Sequence, residues 1–205
     1  MIVMPRPPRP LDSARSERLL AVASEAFAAD GLEDASLNDI LTRAGMGKGS
    51  FYHWFSDKAA LHDWVTRRLA DAIVAEIQVP DLSTLTRESF RQELSALLDR
   101  FERLAVARPE LMKLGLMFHN SADAPRERAI AGVRAAVMTW IADALVAGRT
   151  LGVVRDDLPA DLLSAWTVSS LTTIDSWVLN SDADLASRAS IAATAIDALW
   201  HLLAA

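Results

Sequence analysis

The sequence contains no cysteine, a single tyrosine and only eight glycines among its 205 residues. Without thiols, disulfides and thiolate metal sites are excluded, which fits a reducing, cytoplasmic compartment. No uninterrupted apolar run approaches the ~18 residues of a membrane span, and the opening MIVMPRPPRP lacks an apolar segment of signal-peptide length. Strand signals are missing as well: nowhere do β-branched residues alternate with polar ones between turns. The four histidines, His53, His62, His119 and His201, show no metal-ligand spacing. Nor is there a nucleophile elbow, a phosphate loop or an acid pair. These absences argue against an enzyme and give no reason to expect a metal, a cofactor or a catalytic residue.

What is present is unevenly spread. Four of the eight prolines fall in the first ten residues, beside Arg6 and Arg9, so that stretch is not helical. Two readings of it are open: a ragged terminus, or an arm whose arginines lie along a minor groove. The formal net charge of −6 argues against binding nucleic acid over the whole surface. Its distribution says more. Arg6, Arg9, Arg15 and Arg18 outnumber Asp12 and Glu17 at the start, whereas the chain after Ala59 is acidic. A basic footprint on an acidic body is compatible with nucleic-acid binding at one end.

The most informative stretch is ASLNDILTRAGMGKGSFYHWFSDK, residues 35–58. Ser36, followed three residues later by Asp39, makes a capping-box-like helix start. Leu37, Ile40 and Leu41 give that helix one apolar face. Gly45 sits where it must stop and permits a left-handed cap. Met46 is the apolar residue available to wedge between two helices, and Gly47 opens the next one. Phe51 and Phe55, four apart, point into the same core as Leu37 and Ile40. Lys48, Gly49, Ser50, Tyr52 and His53 are left on or near the open face. A small, donor-rich helix surface with little bulk suits entry into a major groove. Lys58 falls in the first turn of a further helix, where the macrodipole disfavours a cation unless a bound phosphate reverses the penalty.

The rest of the chain reads as helices. The first spans Ser13 to Asp30 and ends at Gly31; the fourth is capped by Asp57 and runs to Gln78 before Pro80. Others follow at Thr86 to Ala107, Glu110 to Asn120, Arg126 to Gly148, Ala160 to Asn180 and Leu185 to Leu203. SADAP, GRTLGVVRDDLP and SDAD connect them. The expected fold is all-α with about nine helices, an N-terminal helix-turn-helix domain followed by a larger helical domain, to which the resemblance described next assigns ligand binding and dimerisation. The expected division is 1–58 for the arm and helix-turn-helix, 57–78 for a connecting helix and 80–205 for the distal domain.

The run Gly45 to Phe55, closed by Lys58, resembles the DNA-binding end of the TetR/AcrR family of bacterial transcriptional regulators almost position by position. The likeness is strong over the first 60 or so residues and extends to the rest only in layout. It implies three N-terminal helices for double-stranded DNA, a connecting fourth, and a divergent distal domain with a ligand cavity and a homodimer interface on the last two long helices. By the same resemblance Lys48, Gly49 and Ser50 lie at the groove-facing start of the recognition helix, and Tyr52, His53 and Lys58 fall on phosphate-binding positions. Asn38 matches a position that reaches a base edge or backbone, and Ser36 one that caps its helix and approaches a phosphate. Gly47, where serine is frequent, and Trp54, where a smaller or polar aromatic is frequent, depart from the common pattern.

In the distal part Met112, Met117, Phe118, Met138, Trp140, Trp166 and Trp177 are candidates to line an apolar cavity, with His119, Asn120, Thr173 or Asp175 as polar anchors. For any single one of them ordinary core packing is the simpler explanation. For the homodimer, the last helix offers Ile191, Ala192, Ala195, Leu199 and Leu202, and the helix before it Leu162, Trp166, Ser170 and Trp177. The leading expectation is a cytoplasmic, ligand-responsive repressor that binds a pseudo-palindromic operator as a homodimer and is released by a small, mostly apolar effector. The alternatives are a DNA-binding regulator without an effector, and a helical enzyme or lipid carrier.

Overall fold

The computed structural model describes residues 12–121 and 127–205. The arm with Arg6 and Arg9, the loop beyond Ser121 and the expected helix start at Arg126 lie outside the described residues. Nine α-helices are described: α1 Ser13–Asp34, α2 Leu37–Ala44, α3 Lys48–Trp54, α4 Lys58–Ile77, α5 Phe90–Ala107, α6 Lys113–Asn120, α7 Arg128–Thr150, α8 Ala160–Asn180 and α9 Leu185–Leu203. Short 3-10 turns at Leu82–Thr84 and Pro109–Met112 join them. Among the described residues the only extended pairing is a single antiparallel bridge between Val154 and Ala204. The fold is all-α.

Local chemistry explains where the helices begin. Asp12, Ser36, Asp57 and Asp184 each accept a backbone N–H three residues on, from Arg15, Asp39, Ala60 and Ser187 at 2.7–3.3 Å, supplying acceptors that a helix N-terminus lacks. The chain already turns at Thr86, where a helix start was expected. Thr86 and Ser89 exchange hydrogen bonds, each hydroxyl accepting the other's N–H, before the regular helix counted from Phe90. In α1, Gly31 adopts φ 71° and breaks the helical geometry where the sequence placed its end, although a last turn continues to Asp34.

Two buried clusters hold the fold. The first gathers Leu19, Phe27, Ile40, Phe51, Leu61 and Val65 from α1–α4, together with Leu111, Leu114, Met117 and Ile130 from beyond residue 80. By packing, α6 therefore belongs with the N-terminal helices; it lies closely against α1. The second cluster joins Phe90, Ile141, Leu145, Val154, Leu163, Leu199 and Leu203. Gly148 lets α7 approach this cluster, since a Cβ there would stand 2.4 Å from Val154 and 2.8 Å from Phe90. By length and mean hydropathy α7 could cross a membrane. It nevertheless carries Arg134 and Asp143 and packs against α4 and α8.

Candidate nucleic-acid interface

The tight passage from α2 to α3 is built on backbone hydrogen bonds. Gly45 takes φ 65° and ψ 33°, its N–H reaches Thr42 O at 3.1 Å, and the Met46 N–H reaches Leu41 O at 2.9 Å. This double closure is a Schellman cap, and it needs a residue that tolerates the left-handed region. α3 is then pinned from inside. Phe51 is fully buried and stacks on Phe55, with ring centroids 5.4 Å apart, and Phe55 meets the edge of Trp64 from α4. With Phe51 fixed inward, the opposite face must look outward.

The residues singled out in the sequence are all at the surface. Ser36 and Asn38 on α2, and Lys48, Gly49, Ser50, Tyr52 and His53 on α3, are all exposed. Ser36 also serves as the N-cap of α2. The Tyr52 ring is 59% exposed yet held by edge contact with Phe51, so its hydroxyl is presented on an oriented ring. A Cβ added at Gly47 or Gly49 would meet nothing within 4 Å. Internal packing therefore gives no reason for Gly49, although glycine inside a helix costs about 0.5–1 kcal/mol relative to alanine.

The charges around this face are not equivalent. Arg43 binds Glu25 at 2.9 Å and Asp39 at 3.5 Å, so its charge is already compensated; the hydrogen bond to Glu25 chiefly raises its pKa. Lys48 makes no ion pair among the described residues. Arg18, from α1, brings its guanidinium to 3.8 Å from the position a Gly45 Cβ would occupy, beside the α2–α3 turn. The sequence placed Arg18 in a basic footprint but not at this turn, because the juxtaposition depends on how α1 crosses α2.

Lys58 has a local role that the sequence did not reveal. Its ammonium donates to Glu33 O at 2.7 Å and to Ala35 O at 2.9 Å, carbonyls at the end of α1 and the entry to α2. The cation that looked misplaced at a helix start is therefore satisfied by the C-terminal carbonyls of another helix. An ammonium has three donors, so one remains.

Distally, a cavity of about 100 Å³ lies between α5, α7, α8 and α9, walled by Phe90, Leu97, Trp140, Thr167, Leu171 and Trp200 among others. α5 closes it from one side, with Phe90 seated in the distal cluster and Arg91 bound to Asp197 of α9 at 2.7 Å. Of the residues expected to line a cavity, only Trp140 lines this one. Met117 is buried in the core beneath α1, and Met112 and Phe118 pack against that same core. Met138, Trp166 and Trp177 are about 40% exposed on outer faces. Thr173 is exposed and donates to Ser169 O. His119 and Asp175 face each other instead, Nε2 to Oδ2 at 2.9 Å, joining α6 to α8. The side chain of Asn120 lies outside the described ones.

Fold and face together are those of a helix-turn-helix protein. Residues 19–63 match the family model described as bacterial regulatory proteins, tetR family. The chain is 27% identical over 154 residues to an HTH-type transcriptional repressor of Mycobacterium tuberculosis, covering 75% of this chain and 76% of that one. It is 35% identical over 66 residues to the HTH-type transcriptional regulator YvdT of Bacillus subtilis, covering 32% of this chain but only 34% of that one. A TetR family transcriptional regulator from Chloroflexus aurantiacus has the same fold, with a TM-score of 0.73 at 20% identity over 96% of both chains.

Proposed function

We infer that the chain is a homodimeric transcriptional repressor of the cytoplasm, released from a pseudo-palindromic operator by a small apolar effector. The observation that carries this reading is the outer face of α3. Gly49 is open to solvent and unexplained by packing, while Lys48, Ser50, Tyr52 and His53 around it offer donors on a helix anchored by Phe51. A glycine that costs helix stability is accounted for if another backbone must come close, as in a major groove. In this reading Lys48, Gly49 and Ser50 face bases. Tyr52, His53 and the remaining Lys58 donor hold phosphates, with Ser36 and Asn38 at the flank.

The dimer reading rests on uncovered apolar surface. Leu162, Trp166 and Trp177 of α8, with Ile191 and Leu202 of α9, are 37–48% exposed. Leu199, expected in that stripe, is instead 8% exposed within the distal core and is removed from it. Two copies pairing through these helices would set two α3 helices on successive major grooves. The effector would enter the cavity beside α7, which contacts the connecting helix α4. A fluorescence-anisotropy titration of selected duplex DNA tests the central step: affinity falls steeply with salt, and Tyr52→Ala weakens binding to every sequence.

A further inference from the structure

α6 presents two different faces. Leu114 and Met117 are buried in the core that it shares with α1–α4, so this helix belongs to the N-terminal end of the molecule. Gly115 and His119, one turn apart, meet α8 instead. A Cβ at Gly115 would stand 3.2 Å from Leu179 Cδ1, and His119 Nε2 lies 2.9 Å from Asp175 Oδ2. The two contacts come in opposite order along the two helices, 115 with 179 and 119 with 175. α6 and α8 therefore meet antiparallel over one turn.

The two contacts differ in what they fix. The missing side chain of Gly115 lets α8 come close, but apolar contact is non-directional and leaves the helices free to turn on one another. A hydrogen bond depends on angle as well as distance, so the His119–Asp175 pair sets the orientation. A carboxylate only accepts, so Nε2 is the donor. The neighbouring turns are tied down too. On α6, the Phe118 carbonyl accepts from Arg134 of α7 at 3.0 Å, and the same guanidinium lies 4.5 Å from the centre of the Phe118 ring. On α8, the Val178 carbonyl accepts from Arg188 of α9 at 3.1 Å. Between Asp175 and Leu179, on the other side of the helix, Trp177 is exposed in the surface assigned above to the second copy. One turn of α8 thus faces both α6 and the surface that would pair.

We propose that the His119–Asp175 hydrogen bond is a positioning contact, holding the DNA-reading end at one angle to the α8–α9 surface and so setting which half-site spacing the dimer accepts. This rests on the homodimer and operator reading above and names the residues that would give it its spacing. One base pair more or fewer shifts a half-site by about 3.4 Å and turns it by about 35° around the duplex axis. To follow it, the DNA-reading end has to turn on α8, and a directional bond is broken by that turn while an apolar contact is not.

The experiment takes the duplex that the wild-type chain selects and prepares it with its half-sites at the selected spacing, one base pair closer and one base pair farther apart. Affinity for the three is measured by fluorescence anisotropy for the full chain, for His119→Ala, for Asp175→Ala and for the double variant, with dimerisation followed by sedimentation. The wild-type chain should prefer its own spacing. On the other two duplexes it has to give up the His119–Asp175 bond, whereas the variants have none to give up. Each single variant should therefore lose about fivefold of the preference, the worth of one hydrogen bond. It should stay dimeric and bind the selected spacing within about twofold. The double variant should lose no more than either single one, since all three remove the same bond. A preference unchanged in either single variant would overturn the proposal. So would an equal loss of affinity for all three duplexes, which marks a general loosening of the fold, or dissociation of the Asp175→Ala dimer, which would put Asp175 in the contact between copies. A wild-type chain that binds one half-site as tightly as two would instead overturn the homodimer reading, and the inference with it.

Discussion

The carboxylate of Asp63, one turn into α4, accepts the backbone N–H of Ala129 at 2.9 Å, in the first turn of α7. A helix start normally borrows its capping acceptor from its own preceding residues; α7 borrows one from the helix that leaves the DNA-binding end. The negative charge also suits the positive pole of the α7 dipole. The result is a rigid link: Trp140, Ile141, Ala144 and Leu145 of α7 wall the cavity, and Lys58 at the start of α4 grips the end of α1. Replacement of Asp63 by alanine should cost about 1 kcal/mol, the typical worth of a cap, measurable by urea unfolding. It should also reduce the effect of a cavity ligand on DNA affinity, because the two ends would then share one contact fewer.

Next to Asp63, His62 is 2% exposed, with its ring edge-on to Phe27 and its Nδ1 without a partner among the described residues. Burial pushes its pKa below the ordinary imidazole range, against the opposing pull of Glu127 and Asp63. The sign follows from linkage. Below about pH 6.5 the unfolded chain binds a proton that the folded chain refuses, so stability falls as pH drops, by at most about 1.4 kcal/mol per pH unit. Melting curves between pH 5 and 7 should show this decline, and His62→Leu should flatten it. A slope unchanged in His62→Leu would assign the pH dependence to other groups.

The sequence was most legible where local chemistry decides the structure. Ser36 and Asp57 announced helix starts, Gly45 announced a turn, and Pro159 and the SDAD segment bounded α8 and α9 where the structure places them. The outward face of α3 followed from the spacing of Phe51 and Phe55 alone. The cavity did not. With 51% hydrophobic residues, α7, α8 and α9 carry apolar side chains on more than one face, and periodicity cannot say which face is covered by a neighbour. Leu199 therefore looked like a surface contact and is core, while Met138 looked like a cavity wall and is on the surface. The pairing of His119 with Asp175 joins residues on separate helices, and the Lys58 contacts with Glu33 and Ala35 depend on how α1 meets α4; neither leaves a local trace.

Gly49 separates stability from function. With no positive φ and open space at its missing Cβ, Gly49→Ala should raise stability by up to about 1 kcal/mol through better helix propensity and a less flexible unfolded chain. The same methyl group would stand between α3 and the groove, so DNA affinity should drop. A variant that is more stable and binds equally well would show that α3 does not approach DNA through this residue.

Tyr52 and Lys58 should part company under the same substitution. Tyr52→Ala removes an exposed ring and should leave the melting temperature nearly unchanged while weakening DNA binding. Lys58→Ala removes two charge-assisted hydrogen bonds to the end of α1 and should lower stability by about 1–3 kcal/mol as well as affinity. Parallel thermal melts and DNA titrations on the two variants check this. A Lys58→Ala protein as stable as the parent would mean that its carbonyl contacts carry no weight.

The measurement that tests the account most directly is selection of duplexes from a randomised pool by the full-length chain, with Tyr52→Ala as its control. The account predicts a two-fold symmetric consensus whose half-sites lie about one helical turn, 10–10.5 base pairs, or a multiple of it apart, bound in a strongly salt-dependent way and not recovered by the Tyr52→Ala protein. A pool that yields no consensus, or one without two-fold symmetry, or one that the Tyr52→Ala protein recovers equally well, would contradict it.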